Sequence, residues 1–271
     1  MAGRLLTDIQ APPLLPDWLE EYRIPDAAFL SAYDQSSPEY RASLKSALAL
    51  HFYSMTRQDR IERAERIIPG KGFREIASVA PVPWAAIIFP GDYSAAARLF
   101  SVAVQSLLAG CGVSIALCLG VSPRPSALTA LELCGFENAF AVSRAKAVRA
   151  IKELVQNADS GRIIILGPEK MSELVDDIRA VDAGLWLERD NYPLALTDPD
   201  KFSSPLLELA QGSAPPVSAG ARIYALYSDQ PEDRIVFNYT LLIRPGLECF
   251  WKFQDLPEEF FLNRVCSYSL I

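Results

Sequence analysis

Histidine is almost missing from this chain: His51 is the single one among 271 residues. A lone imidazole leaves a zinc site short of the three or four protein ligands it takes, so zinc is not expected. The five cysteines, Cys111, Cys118, Cys134, Cys249 and Cys266, form no CxxC pair, and an odd number in a long chain points to reduced thiols. No apolar run approaches the roughly 18 residues of a membrane span, and the Met-Ala-Gly-Arg start has no apolar signal core. The expectation is a soluble, cytoplasmic protein with no membrane partner. A basic cluster is lacking too: 26 Lys and Arg stand against 33 Asp and Glu, for a net charge of -7. Nothing in that balance could follow a phosphate backbone, so nucleic acid is not expected as a partner. GxGxxG, internal repeats and low-complexity tracts are also missing.

What the chain does have is 50% hydrophobic residues, ample for a substantial core. The most informative stretch is Pro81–Gly120, in which two short apolar runs flank a Pro-Gly-Asp turn and an alanine-rich segment with helical spacing. This is the pattern of a β-turn-α-β unit in a parallel sheet. The alternation predicts strands at Trp84–Phe89, Val113–Leu117, Ala139–Val142, Arg162–Leu166 and Gly184–Leu187. Helices are expected between them at Tyr93–Ala109, Pro125–Cys134, Ala145–Gln156 and Glu169–Val181. Upstream, Asp17–Tyr22 reads as a short helix in an N-terminal arm, and Ser37-Pro38-Glu39 as a helix start. Helices are expected over 38–55 and 57–67 with a break near Thr56, followed by a connector over Phe73–Val82 with one short strand. Pro81 and Pro83 argue against a central sheet position there.

Downstream, a short helix is expected around Leu206–Gln211, and the β-like runs Arg222–Tyr227 and Arg234–Ile243 suggest an antiparallel or mixed addition to the sheet. The aromatic stretch Leu247–Ile271, with a short-helix start at Pro257-Glu258-Glu259, is of the kind that covers a core or an oligomer interface. The expected architecture is thus a three-layer, mainly parallel α/β core over 80–190. A helical N-terminal region spans 1–79, and a C-terminal region over 191–271 packs additional strands on the core.

From about Ile87 to Glu169 the chain resembles histidinol dehydrogenase, within the wider aldehyde-dehydrogenase-like, Rossmann-like fold group. The likeness is carried by IIFPGDYSAAARLFSVAVQSLLAGCGVSIALCLG at 87–120, LTALELCGFENAFAVSRAKAVRAI at 128–151 and GRIIILGPE at 161–169. Pro90-Gly91, Ala109-Gly110-Cys111 and Cys134-Gly135 stand where that family has its corresponding turns. The resemblance implies a homodimer and, for the family's two-step oxidation of histidinol, NAD and zinc. The family's Glu-His-His group and its Gln, His, Asp and His zinc ligands find no histidine match, because His51 lies upstream of the resembling segment. The family's Gly-Gly turn is Gly91-Asp92, and its Gly-Pro-Gly-Asn turn is Gly167-Pro168-Glu169-Lys170. A shortened, divergent relative with a degenerate active site is therefore expected, without zinc-dependent histidinol oxidation.

Three strand-to-helix corners are the candidate ligand site. Pro90-Gly91-Asp92 combines exposed helix amides with a carboxylate that can cap the helix or accept a ligand hydroxyl. Ser122-Pro123-Arg124 offers a guanidinium for a carboxylate or phosphate. Gly167-Pro168-Glu169-Lys170 pairs close backbone approach with an ammonium group, and is also a plain helix start. Successive βα crossovers would set these corners along one rim, as in sheets that bind ligands at their carboxyl ends. His51, in a predicted helix, reads as a packed residue, and Asp176 and Asp177 as part of a solvated helix face. No cysteine has a sequence-local base to activate it. The resulting expectation is a small-molecule or nucleotide-binding protein on a dehydrogenase-like scaffold, with catalytic residues unassigned and NAD the cofactor to test. Two alternatives stand beside it: an NAD(P)-dependent oxidoreductase with a different active site, and a non-catalytic structural or partner-binding protein.

Overall fold

The computed structural model describes residues 14–55, 62–68, 72–120, 122–189, 192–212, 223–229 and 239–270. In chain order the elements are α1 (Asp26–Gln35), α2 (Pro38–Ser54), β1 (Glu62–Ile68), β2 (Phe73–Pro81), β3 (Trp84–Pro90), α3 (Ala96–Leu108), β4 (Val113–Leu119) and α4 (Pro125–Leu133). They continue with β5 (Ala139–Val142), α5 (Arg144–Asn157), β6 (Arg162–Ile165), α6 (Ser172–Arg179), β7 (Gly184–Leu187) and β8 (Leu194–Leu196). The last are α7 (Ser204–Gln211), β9 (Ile223–Tyr227), β10 (Tyr239–Ile243) and β11 (Leu262–Leu270).

The centre is a five-stranded parallel sheet in the order β5-β4-β3-β6-β7. Strand β3 is buried along its whole length because both faces are covered, and its side chains alternate between two separate cores. Ala85, Ile87 and Phe89 face the core built with α1 to α4 and the C-terminal aromatics, while Trp84, Ala86 and Ile88 face the core built with α5 and α6. That alternation produces the three layers. The arm ahead of α1 is fastened to the second core by fully buried Leu19 and by Trp18 donating to Glu153 at 2.8 Å, and to strand β5 by Ile24 N donating to Ala139 O at 2.9 Å.

All five predicted core strands are present, and their neighbouring helices agree to within a few residues. The helix expected over 169–181 is divided, because Met171 leaves helical geometry (φ -136°, ψ 31°) between a 3-10 turn at Pro168–Lys170 and α6. Asp17–Tyr22 is likewise a 3-10 turn. The expected helix over 57–67 is corrected: strand β1 occupies Glu62–Ile68, and 56–61 lie outside the described residues. The connector expected at Phe73–Val82 is a nine-residue strand, β2, and it is central in a second, antiparallel sheet of order β1-β2-β11. Pro81 is compatible with this because it is the strand's last residue.

The C-terminal addition also differs from expectation. Among the described residues, strands β8, β9 and β10 join no other sheet; they form their own three-stranded parallel one. The first part of the run Arg234–Ile243, residues 234–238, and Arg222 lie outside the described residues. Of the aromatic stretch, Trp251, Phe253 and Phe261 are buried in the first core, and β11 follows them as a largely exposed strand, the outermost of its sheet among the described residues.

Candidate functional site

The strand order puts a topological switch point between β3 and β6, since the chain progresses through β4 and β5 on one side of β3 and through β6 and β7 on the other. In parallel sheets the carboxyl ends of such strands diverge into a crevice. The three candidate corners gather there. Gly91 N donates to Leu119 O at 3.0 Å and Arg124 N to Gly91 O at 3.2 Å, tying the first corner to the second. Lys170 Nζ reaches Asp92 Oδ2 at 2.7 Å, tying the first to the third. Gly167 itself is buried against Pro90 and Tyr93, and its left-handed backbone (φ 65°, ψ 47°) is one a side chain would strain.

Electrostatically the rim is a carboxylate between two cations. The hydrogen bond from Lys170 leads in holding the Asp92 carboxyl below its ordinary range, with the Arg124 guanidinium adding to it. Asp92, Ser122, Arg124, Glu169 and Lys170 are all exposed, while Pro90 and Gly91 are buried beneath them. Glu169 makes no bond to another described residue.

Directly below the rim is a buried polar cluster centred on Glu188, the residue after β7. Its carboxylate accepts from Tyr93 Oη at 2.9 and 3.0 Å, from Arg98 Nη1 at 3.2 Å and from Gly167 N at 2.8 Å. Glu188 and Arg98 are each only 5% exposed. Desolvation pushes the Glu188 carboxyl above its ordinary range, against the pull of Arg98 and of the Gly167 and Tyr93 bonds. The Arg98 guanidinium lies over the rings of Tyr192 (4.8 Å) and Trp251 (4.6 Å), so cation–π contact and ion pairing share the cost of its burial. The residue patterns at Tyr93, Arg98 and Glu188 did not single them out. The one available signal was a glutamate standing immediately after an apolar strand, at the end of the sheet where ligands bind.

These bonds bear on which groups the rim can hold. The Gly91 and Gly167 amides both donate within the protein, to Leu119 O and Glu188, so neither is free to cradle a pyrophosphate. The residues present do not fit a dinucleotide phosphate at those two turns. Nor do they fit the family's zinc. Among the described residues no three His, Cys, Asp or Glu side chains converge on one point, and His51 is buried with its ring 5.0 Å from that of Phe250 and 6.4 Å from that of Phe100.

The other residues weighed from sequence take structural places. Asp176 and Asp177 pair separately, with Arg179 at 3.4 Å and with Arg144 at 3.8 Å. Burial pushes the thiols of Cys111, Cys118, Cys134 and Cys249 up to about 12, far from the thiolate that a nucleophile requires. Cys266 is exposed, on β11.

A three-layer parallel sheet with a crevice at its switch point places the chain among Rossmann-like α/β proteins. A solved structure shares this fold: histidinol dehydrogenase from Elizabethkingia anophelis superposes with a TM-score of 0.59 at 10% identity, over 92% of this chain and 77% of that one. A putative aldehyde dehydrogenase from Burkholderia cenocepacia (TM-score 0.40, 12% identity) is covered over 45% of its length by 74% of this chain. An aldehyde dehydrogenase from Brucella melitensis biovar abortus 2308 (TM-score 0.39, 13% identity) is covered over 52% of its length by 76% of this chain. No protein-family model and no curated protein matches the sequence.

Proposed function

We propose that this protein binds a small polar molecule carrying an anionic group and a hydroxyl, in the crevice between the carboxyl ends of β3 and β6. The observation that carries the reading is the convergence of three loops on one rim, linked by the Asp92–Lys170 bond and the Gly91–Arg124 bond. Arg124 and Lys170 supply donors for a carboxylate or phosphate, and Asp92 supplies an acceptor for a hydroxyl. The committed amides of Gly91 and Gly167 favour a ligand held by side chains over a dinucleotide held by backbone. The Glu188 cluster serves as a rigid floor, holding Gly167 in place from below. With no histidine at the rim and, among the described residues, no zinc ligands gathered, no histidinol turnover is expected.

The test is calorimetric titration with a panel of small hydroxycarboxylates, sugar phosphates and nicotinamide dinucleotides, on the wild type and on Arg124→Ala and Asp92→Asn. A hydroxylated anion should bind the wild type, and each substitution should weaken it at least tenfold. Binding that ignores both substitutions, or no binding by any member of the panel, would overturn the reading.

A further inference from the structure

Strands β8, β9 and β10 run parallel, so their carboxyl ends form a second rim, separate from the one between β3 and β6. Its loops are tied together: Thr197 Oγ1 lies 2.7 Å from Ser228 Oγ, Ser228 N donates to Ile243 O at 3.1 Å, and Arg244 Nη1 donates to Ser228 O at 2.9 Å. Two buried polar groups at this end of the sheet lack the partners that the cluster around Glu188 has. Tyr227, the last residue of β9, pairs with Ile243, the last of β10. It is 1% exposed, and its Oη has no hydrogen-bond partner among the described residues. Glu248 follows β10 after a turn closed by Leu247 N donating to Arg244 O at 3.1 Å, and is 3% exposed. Its Oε1 accepts from Gly246 N at 3.2 Å, but among the described residues its Oε2 has no partner and the carboxylate no ion pair.

The two groups lie within electrostatic reach of each other. Burial leads in pushing the Tyr227 phenol above its ordinary range; Arg98 pulls against it, and Cys249 and the Glu248 carboxylate add to the rise. A carboxylate taken out of water without a counter-charge is strongly destabilising, and buried polar atoms are as a rule hydrogen-bonded. The cations on the surrounding segments have other partners: Arg98 has Glu188, Lys201 has Asp229 at 3.9 Å, Arg244 has Ser228 O, and Lys252 has Glu258 at 3.7 Å. We infer that a small monovalent cation, of the size of potassium or ammonium, is held between Glu248 Oε2 and Tyr227 Oη. The carboxylate supplies the charge, and the phenol keeps its proton and offers a lone pair. One carboxylate matches one positive charge, whereas calcium gathers several oxygen ligands, often more than one carboxylate among them. Among the described residues no three His, Cys, Asp or Glu side chains converge to supply such a set. Burial this deep also selects a small ion over a large organic ammonium. Held there, the cation joins the end of β9 to the turn after β10. The site is independent of the ligand reading above.

The test is thermal unfolding of the full-length protein in choline chloride, with choline replaced stepwise by potassium or by ammonium at constant ionic strength. Choline is too large for the site, so it sets the baseline. Either small ion should raise the unfolding temperature by about 3 °C or more at saturation, because it binds the folded state and not the unfolded chain. A response to ammonium alone would identify an ion that donates N–H bonds to the two oxygens; a response to both ions would identify charge and size as what the site selects. Glu248→Gln keeps the shape and removes the charge, and should abolish the dependence with an unchanged far-UV circular dichroism spectrum. Tyr227→Phe should weaken the apparent affinity at least tenfold. Thallium NMR on the wild type gives a readout that needs no variant: thallium(I), a surrogate for potassium, should bind and be displaced by potassium. Equal unfolding temperatures in all three salts, or no thallium binding, would overturn the inference. So would a Glu248→Gln variant that responds to the small ions as the wild type does.

Discussion

Acid should destabilise this protein through one imidazole. His51 is 1% exposed, its Nε2 has no hydrogen-bond partner among the described residues, and aromatic rings lie beside it. Burial, with a smaller contribution from the Lys252 charge, lowers its pKa from 6.5 to about 4. A base whose pKa is depressed in the folded state binds its proton in the unfolded chain first. Its contribution to stability is therefore complete above about pH 6.5 and is lost as pH falls toward 4. The shift of about 2.5 units, at roughly 1.4 kcal/mol each, amounts to about 2 kcal/mol lost by pH 5 and about 3 kcal/mol by pH 4. Urea unfolding of the wild type and of His51→Phe at pH 7, 6, 5 and 4 measures this. Carboxylate titration is common to both proteins, so the difference between their stabilities isolates the histidine. The variant should gain on the wild type by the amounts given. Parallel curves for the two proteins, or a His51 proton resonance titrating between pH 6 and 7, would refute the reasoning.

Two further outcomes follow from the site. Glu188→Leu leaves Arg98, Tyr93 and Gly167 without their shared acceptor and should cost about 3–5 kcal/mol in chemical unfolding, whereas Arg98→Met/Glu188→Leu, with both charges gone, should recover most of that loss. A double variant no more stable than the single one would show that the ion pair is not what the floor depends on. Lys170→Ala should return the Asp92 carboxyl toward its ordinary range, seen by carboxyl-carbon NMR. Because Asp92 is held low, its contribution to stability is present above about pH 3.9 and lost on acidification through its folded value, and at this exposed site it stays within about 1 kcal/mol. An unchanged Asp92 titration in that variant would mean that the two corners are not electrostatically joined.

What could be read from the residues divides along burial. Strands β3, β4 and β6 announce themselves because parallel strands covered on both faces are continuous apolar runs, as in Trp84–Pro90 and Arg162–Ile165. The alternation of those runs with helices located the rim, and the Asp92–Lys170 bond agrees with it. Strands β1, β2 and β11 were hidden for the opposite reason: with neither face fully buried, they lack the period of two that marks a half-buried strand. The charges of Glu62–Ile68 even imitate a solvated helix. The Glu188–Arg98 pair joins residues 90 positions apart, and nothing local in either segment marks its partner. Helix α1 was obscured by the prolines around it, although Pro25 and Asp26 make a reasonable helix start.

The small antiparallel sheet also imposes an order on biosynthesis. Strands β1 and β2 leave the ribosome well before β11, whose Tyr268 bonds to Glu75 across 193 positions. Until then the two early strands are a lone hairpin, marginal by itself in water. At about 5–20 residues per second, the nascent chain carries that hairpin incomplete for roughly ten seconds or more. During that interval its inner edge is open to any extended segment nearby, which makes the emerging polypeptide the form most in need of a chaperone.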